Sequence, residues 1–113
     1  MMRLTTIAAV GIGLLWTASA SAQDQAQIDR GMKLYDAQKC SMCHSVAGKG
    51  NAKGPLDGVG NKLTADAIHE WLVKPADAGK KANATRKPPM KSYASLPKED
   101  VDALVAYMLS LKK

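Results

Sequence analysis

Apolar positions along this chain form one near-continuous block and three helical stripes. The block runs from Leu4 to Trp16, with small polar interruptions and two glycines, Gly11 and Gly13. The first stripe is Ile28, Met32 and Tyr35, spaced i, i+4 and i+7, with Gly31 on the same face. That spacing predicts a helix over 25–39 with Asp24 as its cap. The second stripe is Ala67, Ile68, Trp71 and Leu72. It predicts a helix over 64–73, capped by Thr64, favoured by Asp66 in its first turn and stopped by Pro75. The third is Val101, Leu104, Val105, Met108 and Leu111, a helix that opens at Pro97 and ends near Leu111. Glu99, Asp100 and Asp102 sit at its positive end, Lys112 and Lys113 at its negative end, as the helix dipole favours.

No strand alternation and no internal repeat lie between the stripes. Residues 45–63 hold five glycines and Pro55 and read as loop. Residues 76–95 read as a long linker in which Pro88 and Pro89 fix an extended backbone just before Met90. The predicted fold is therefore all-α, with three or more helices. Its loops are too long to be empty connectors, so they are expected to wrap around something.

Composition sharpens that picture. The chain has 113 residues, which points to one domain and excludes a multidomain enzyme or a repeat array. Hydrophobic residues make up 46%, too many for a disordered chain at a net charge of +6. Only 4% are aromatic and Phe is absent, so the core needs bulk from another source. The apolar block has Arg3 before it and the small residues 17–22 after it, the anatomy of a secretory signal peptide. Cleavage is expected after Ala22, with Ala20 as an alternative. The domains are then 1–22, removed, and 23–113, exported to the periplasm. An uncleaved membrane anchor over 4–22 is the competing interpretation. Nothing later is apolar enough to cross a membrane.

Cys40-Ser41-Met42-Cys43-His44 is a C-x-x-C-H run. In an exported chain this is a c-type haem attachment motif. Two thiols three positions apart can add across the two vinyl groups of one porphyrin, forming two thioethers. The histidine directly after the second thiol then lies under the iron as proximal ligand. A thioredoxin-like redox site lacks its βαβ setting. A zinc site lacks ligands, since His69 is the other histidine of the chain. A disulfide between Cys40 and Cys43 would close a very small loop with little gain.

From Ile28 to Leu111 the chain resembles a bacterial class I cytochrome c. Besides the C-x-x-C-H, the resemblance rests on Gly31 and Tyr35, on Gly54-Pro55-Leu56-Asp57-Gly58 and on Leu104-Val105-Ala106-Tyr107. It implies a small cytochrome c fold around one covalently attached haem c and its iron. It further implies that the first and last helices cross near Gly31, with Gly31 and Tyr35 against Leu104 and Tyr107. Lys87-Pro88-Pro89-Met90 matches the place of the family's distal methionine, so Met90 is expected to complete a His/Met ligand pair with His44. By the same resemblance, the Pro55 carbonyl would accept the His44 Nδ1–H, and Trp71 would lie near a haem propionate. Met32 and Met108 fit as core packing, Met42 as part of the attachment turn, and His69 as an exposed side chain.

With both axial positions filled, substrate has no route to the iron. The expected function is single-electron transport between redox partners, without enzymatic turnover. A cytochrome subunit of a periplasmic dehydrogenase complex remains open, as does a ligand-binding or peroxidatic haem protein, which requires that Met90 not coordinate. The positive charge suggests partners with acidic docking surfaces, with Lys39, Lys49, Lys53, Lys87 and Lys91 as the candidate rim. Nucleic acid is not expected, because the basic residues are scattered and not interleaved with aromatics. A monomer or a subunit of a redox complex fits this size.

Overall fold

Gly31 and Tyr35 set how the two ends of the fold meet. In the computed structural model, which describes residues 11–13 and 20–113, helix α1 spans Ala20–Ala37 and helix α5 spans Lys98–Ser110. They pack against each other at Gly31, whose Cβ position would fall 2.6 Å from Tyr107 Cβ and against the carbonyl of Ala103. The aromatic pair closes the same contact, with Tyr35 and Tyr107 rings 5.7 Å apart, edge to face at 75°. The expected crossing is there. The groups that meet the glycine are Ala103 and Tyr107, and Leu104 instead fills the centre of the core, 2% exposed.

The stripe on α5 is buried as its spacing requires. Val101, Leu104, Val105 and Met108 join Tyr35, Ile68, Leu72 and Tyr107 in one core, with Leu111 packed at its margin. On α1 the stripe is shifted. Met32 is 47% exposed, and Leu34 packs on the core beside Ile28 and Tyr35. An i, i+4, i+7 reading cannot distinguish which flank of Tyr35 turns inward. Asp24 is not a cap, because α1 begins at Ala20. Most of the expected signal peptide lies outside the described residues.

Residues 45–63 are more ordered than their glycines suggested. Strands β1 (Ser45–Val46) and β2 (Lys49–Gly50) form a two-residue antiparallel hairpin. Ala47, with φ +51°, and Gly48, with φ +78°, make the tight reversal between them, and glycine suits the second of these positions. A short helix, α2 (Val59–Lys62), then docks on the end of α5. The Gly60 N–H donates to Leu111 (2.9 Å), and the Lys113 N–H donates to Asn61 Oδ1 (2.8 Å).

Helix α3 (Ala65–Val73) follows, and Thr64 Oγ1 accepts from the Ala67 N–H at 3.2 Å, the expected cap. Pro75 stops α3 and also opens a helix absent from the sequence expectation, α4 (Pro75–Lys81). Proline suits the first helical position, where no N–H partner is needed. Asp77 near the start of α4 and Lys80 and Lys81 at its end complement its dipole. Among the described residues, no helix is long and apolar enough to cross a membrane.

Candidate functional site

α1 ends in a turn that presents the cysteines. Lys39 takes a left-handed conformation, φ 56° and ψ 39°, which closes the helix and starts a 3-10 turn over Cys40–Met42. The Cys43 and His44 N–H groups both donate to the Cys40 carbonyl, at 3.1 and 2.9 Å. This winds the C-x-x-C-H run into one compact loop. Cys40 and Cys43 are free thiols, Cys40 partly buried and Cys43 exposed.

Asn51, which carried no signal in the sequence, braces this loop. Its N–H donates to Ser41 (3.1 Å) and His44 (2.9 Å), and its side-chain amide donates to the Met42 carbonyl at 3.1 Å. Its backbone partners became visible only once the hairpin brought Gly50 and Asn51 back over the turn.

His44 is oriented from behind. Its Nδ1 lies 3.0 Å from the carbonyl of Gly54, and a carbonyl only accepts, so Nδ1 carries the proton. The partner is Gly54, not the expected Pro55. The Ser45 N–H also donates to Gly54 (3.1 Å), and the Leu56 N–H donates back to Ser45 (2.8 Å). This pairing of 45 with 54–56 sets the register one residue before the proline. Burial pushes the imidazole pKa down toward the neutral form, the Gly54 hydrogen bond opposes that, and the nearby Arg86 charge adds to the lowering. Burial also raises the Cys40 thiol pKa.

Met90 arrives from the other side of the fold. Beyond it, the Tyr93 N–H donates to Leu72 (2.7 Å) and Ser92 Oγ donates to Val73 (2.9 Å). Orphan carbonyls at the end of α3 thus pin the loop that carries Met90. Cys40, Cys43, His44 and Met90 all line one cavity of about 830 Å³. Trp71, Tyr93, Pro75 and Pro89 line it as well. His69 lies elsewhere, on a separate depression between α3 and α4 lined by Glu70, Asp77 and lysines. Of the five lysines expected at the rim, Lys39, Lys87 and Lys91 line the cavity; Lys49 and Lys53 are exposed away from it.

A haem fits this chamber on three grounds. Its volume lies in the range of cofactor pockets, roughly 300–1,000 Å³. Its donor set is two thiols, a neutral imidazole and a thioether. Its lining residues include no carboxylate to repel the carboxylates of the porphyrin.

Comparison with known proteins points the same way. The sequence model of the cytochrome c family matches residues 28–112. Cytochrome c-555 of Methylococcus capsulatus is 31% identical over 88 residues, covering 76% of this chain and 71% of that protein. Cytochrome c oxidase subunit 2 of Alkalihalophilus pseudofirmus is 26% identical over 110 residues, which is 86% of this chain but 30% of the oxidase subunit. No solved structure matches the chain significantly. A family match spanning nearly all of 28–113, over the helices that enclose the C-x-x-C-H cavity, means that the chain belongs to the cytochrome c family, with the small helical fold and covalently attached haem c of an electron-transfer protein.

Proposed function

We propose that this protein is a periplasmic carrier of single electrons, in which Cys40 and Cys43 would hold the haem through thioethers and His44 and Met90 would ligate its iron. The observation that carries this is the convergence of all four side chains on one cavity from two separate segments. Bound haem supplies a reversible ferric/ferrous couple. The chain's own residues make that couple usable. The Gly54 carbonyl accepts a hydrogen bond from the His44 Nδ1–H, which leaves Nε2 free to coordinate and raises its basicity. The Met90 thioether, held by the anchored 92–93 segment, would as a ligand favour the ferrous state and raise the potential. Keeping the same ligands in both oxidation states minimises rearrangement on electron transfer, and the partly buried Trp71, Met90 and Tyr93 exclude water.

Met90→Ala tests the assignment. The variant is expected to keep its covalent haem, lose the low-spin His/Met spectrum and show a lower potential. An unchanged spectrum would exclude Met90 as ligand and favour an open-iron function.

The oxidase relative favours a second possibility: a cytochrome unit working inside a larger redox complex, whether dehydrogenase or oxidase. There, a stretch similar to most of this chain forms part of one subunit. Native purification at endogenous levels separates the two. A free carrier elutes alone as a small monomer, and a subunit elutes with a larger chain.

A further inference from the structure

Asn51 stands where two functional segments meet, and its polar groups reach both. On one side is the attachment turn. The Asn51 N–H donates to the carbonyls of Ser41 (3.1 Å) and His44 (2.9 Å), and its Nδ2 donates to the Met42 carbonyl (3.1 Å). On the other side is the seat of the imidazole. The Lys53 N–H donates to Asn51 Oδ1 (3.0 Å), and the Gly54 N–H donates to the Asn51 carbonyl (3.2 Å). The Gly54 carbonyl then accepts from the His44 Nδ1–H at 3.0 Å. This path starts and ends in the C-x-x-C-H run, so a shift of residues 51–54 moves the turn and the acceptor of its histidine together. Gly50 lets the chain pass this close, because a Cβ there would collide with the His44 carbonyl.

The side chain has to be an amide. A carbonyl only accepts and a backbone N–H only donates, so a group bridging Met42 and Lys53 must donate at one end and accept at the other. A carboxylate of the same shape would set lone pairs against the Met42 carbonyl. An apolar side chain would satisfy neither partner. We propose that Asn51 is a positioning residue, whose side-chain amide locks the attachment turn to the 53–54 backbone and so keeps the Gly54 carbonyl on His44 Nδ1. This rests on the assignment of the cavity as the haem site with His44 as proximal ligand. A hydrogen bond at Nδ1 raises the basicity of the imidazole, which favours ferric iron. Loosening that bond therefore raises the reduction potential.

Two readouts on the holoprotein test this: the reduction potential, and the exchange rate of the His44 Nδ1 proton followed by NMR. The variants are Asn51→Leu and Asn51→Ser, with Gly31→Ala as a variant destabilised at the helix crossing instead. Leu keeps the branched shape and loses both hydrogen bonds. Ser can still accept from the Lys53 N–H but is too short to reach Met42. Asn51→Leu is expected to raise the potential and to speed exchange about tenfold, the scale of one net hydrogen bond. Asn51→Ser is expected to fall between it and wild type, and Gly31→Ala to lose stability with its potential unchanged. An Asn51→Leu potential equal to wild type, or shifted no further than that of Gly31→Ala, overturns the proposal while covalent haem in every variant leaves the site assignment standing. If the Leu variant does not assemble, Asn51→Ser decides alone, and wild-type potential and exchange there overturn the proposal. Wild-type protein exported without covalent haem overturns the site assignment itself.

Discussion

Gly31 lies in the close contact of α1 with α5, and a methyl group there would meet the Ala103 backbone and lie 2.6 Å from Tyr107 Cβ. Neither neighbour is the free end of a flexible side chain, so the helices themselves must part. Gly31→Ala is expected to destabilise the holoprotein by about 1–3 kcal/mol, the usual cost of overpacking, read from the denaturant midpoint. No change would mean that the crossing is looser than described. Tyr35 next door buries its hydroxyl with no hydrogen-bond partner among the described residues. Burial pushes its pKa up to about 12. A phenol whose folded pKa lies above its unfolded value stabilises the fold fully below pH ~10, and that contribution is lost as pH rises through the folded value. Tyr35→Phe is therefore expected to leave stability at pH 7 unchanged or slightly higher, and to lose less stability than wild type between pH 10 and 12. A large loss at pH 7 would reveal a partner for the hydroxyl. At this scale the sequence was legible where a motif fixes chemistry, as at Cys40, Cys43 and His44. It was not legible where register decides, since whether Gly54 or Pro55 faces His44 depends on how residue 45 pairs with residues 54–56.

Helices were legible wherever a stripe met a cap, as at Thr64 before α3 and Pro97 before α5. α4 is not legible in the pattern because a proline after an apolar stripe signals a stop, whereas Pro75 ends one helix and begins the next by the same locked φ. The hairpin at 45–50 was missed because two-residue strands are too short to show alternation. Periodicity placed Met32 and Met108 alike in the core, and only Met108 is there, 7% exposed against 47%. Met108→Ala is expected to cost about 2–5 kcal/mol and Met32→Ser less than about 0.5 kcal/mol, compared by thermal or denaturant unfolding. Equal costs would contradict the orientation of α1. Thr64→Ala removes the acceptor for the Ala67 N–H and is expected to cost about 1 kcal/mol. Because α3 supplies the carbonyls that anchor residues 92–93, that loss should also weaken Met90 coordination, visible as a lower midpoint when the spectrum is followed during unfolding.

Across the whole molecule, a chain with few large aromatics builds one core and beside it the C-x-x-C-H cavity, which on the proposed function haem fills. That shortage, with loops too long to be mere connectors, is why a bound group inside the helical fold could be anticipated from the sequence. The mouth of the cavity carries Lys39, Lys87 and Lys91 on a chain of net charge +6. Charge steering predicts that reduction by an acidic redox partner slows as salt rises. Lys87→Glu is expected to slow it several-fold more than Lys53→Glu at low ionic strength, because Lys53 lies away from the mouth. Stopped-flow reduction over a salt series checks this, and equal effects would place docking elsewhere. The central claim is that one haem is held by Cys40 and Cys43 and ligated on both faces by His44 and Met90. The most direct measurement is the absorption spectrum of the exported protein, ferric and then ferrous. A low-spin spectrum with the weak far-red ferric band of methionine ligation is predicted. Bound haem without that band would contradict the role of Met90, and export without haem in a haem-attaching host would contradict the account of the site as a whole.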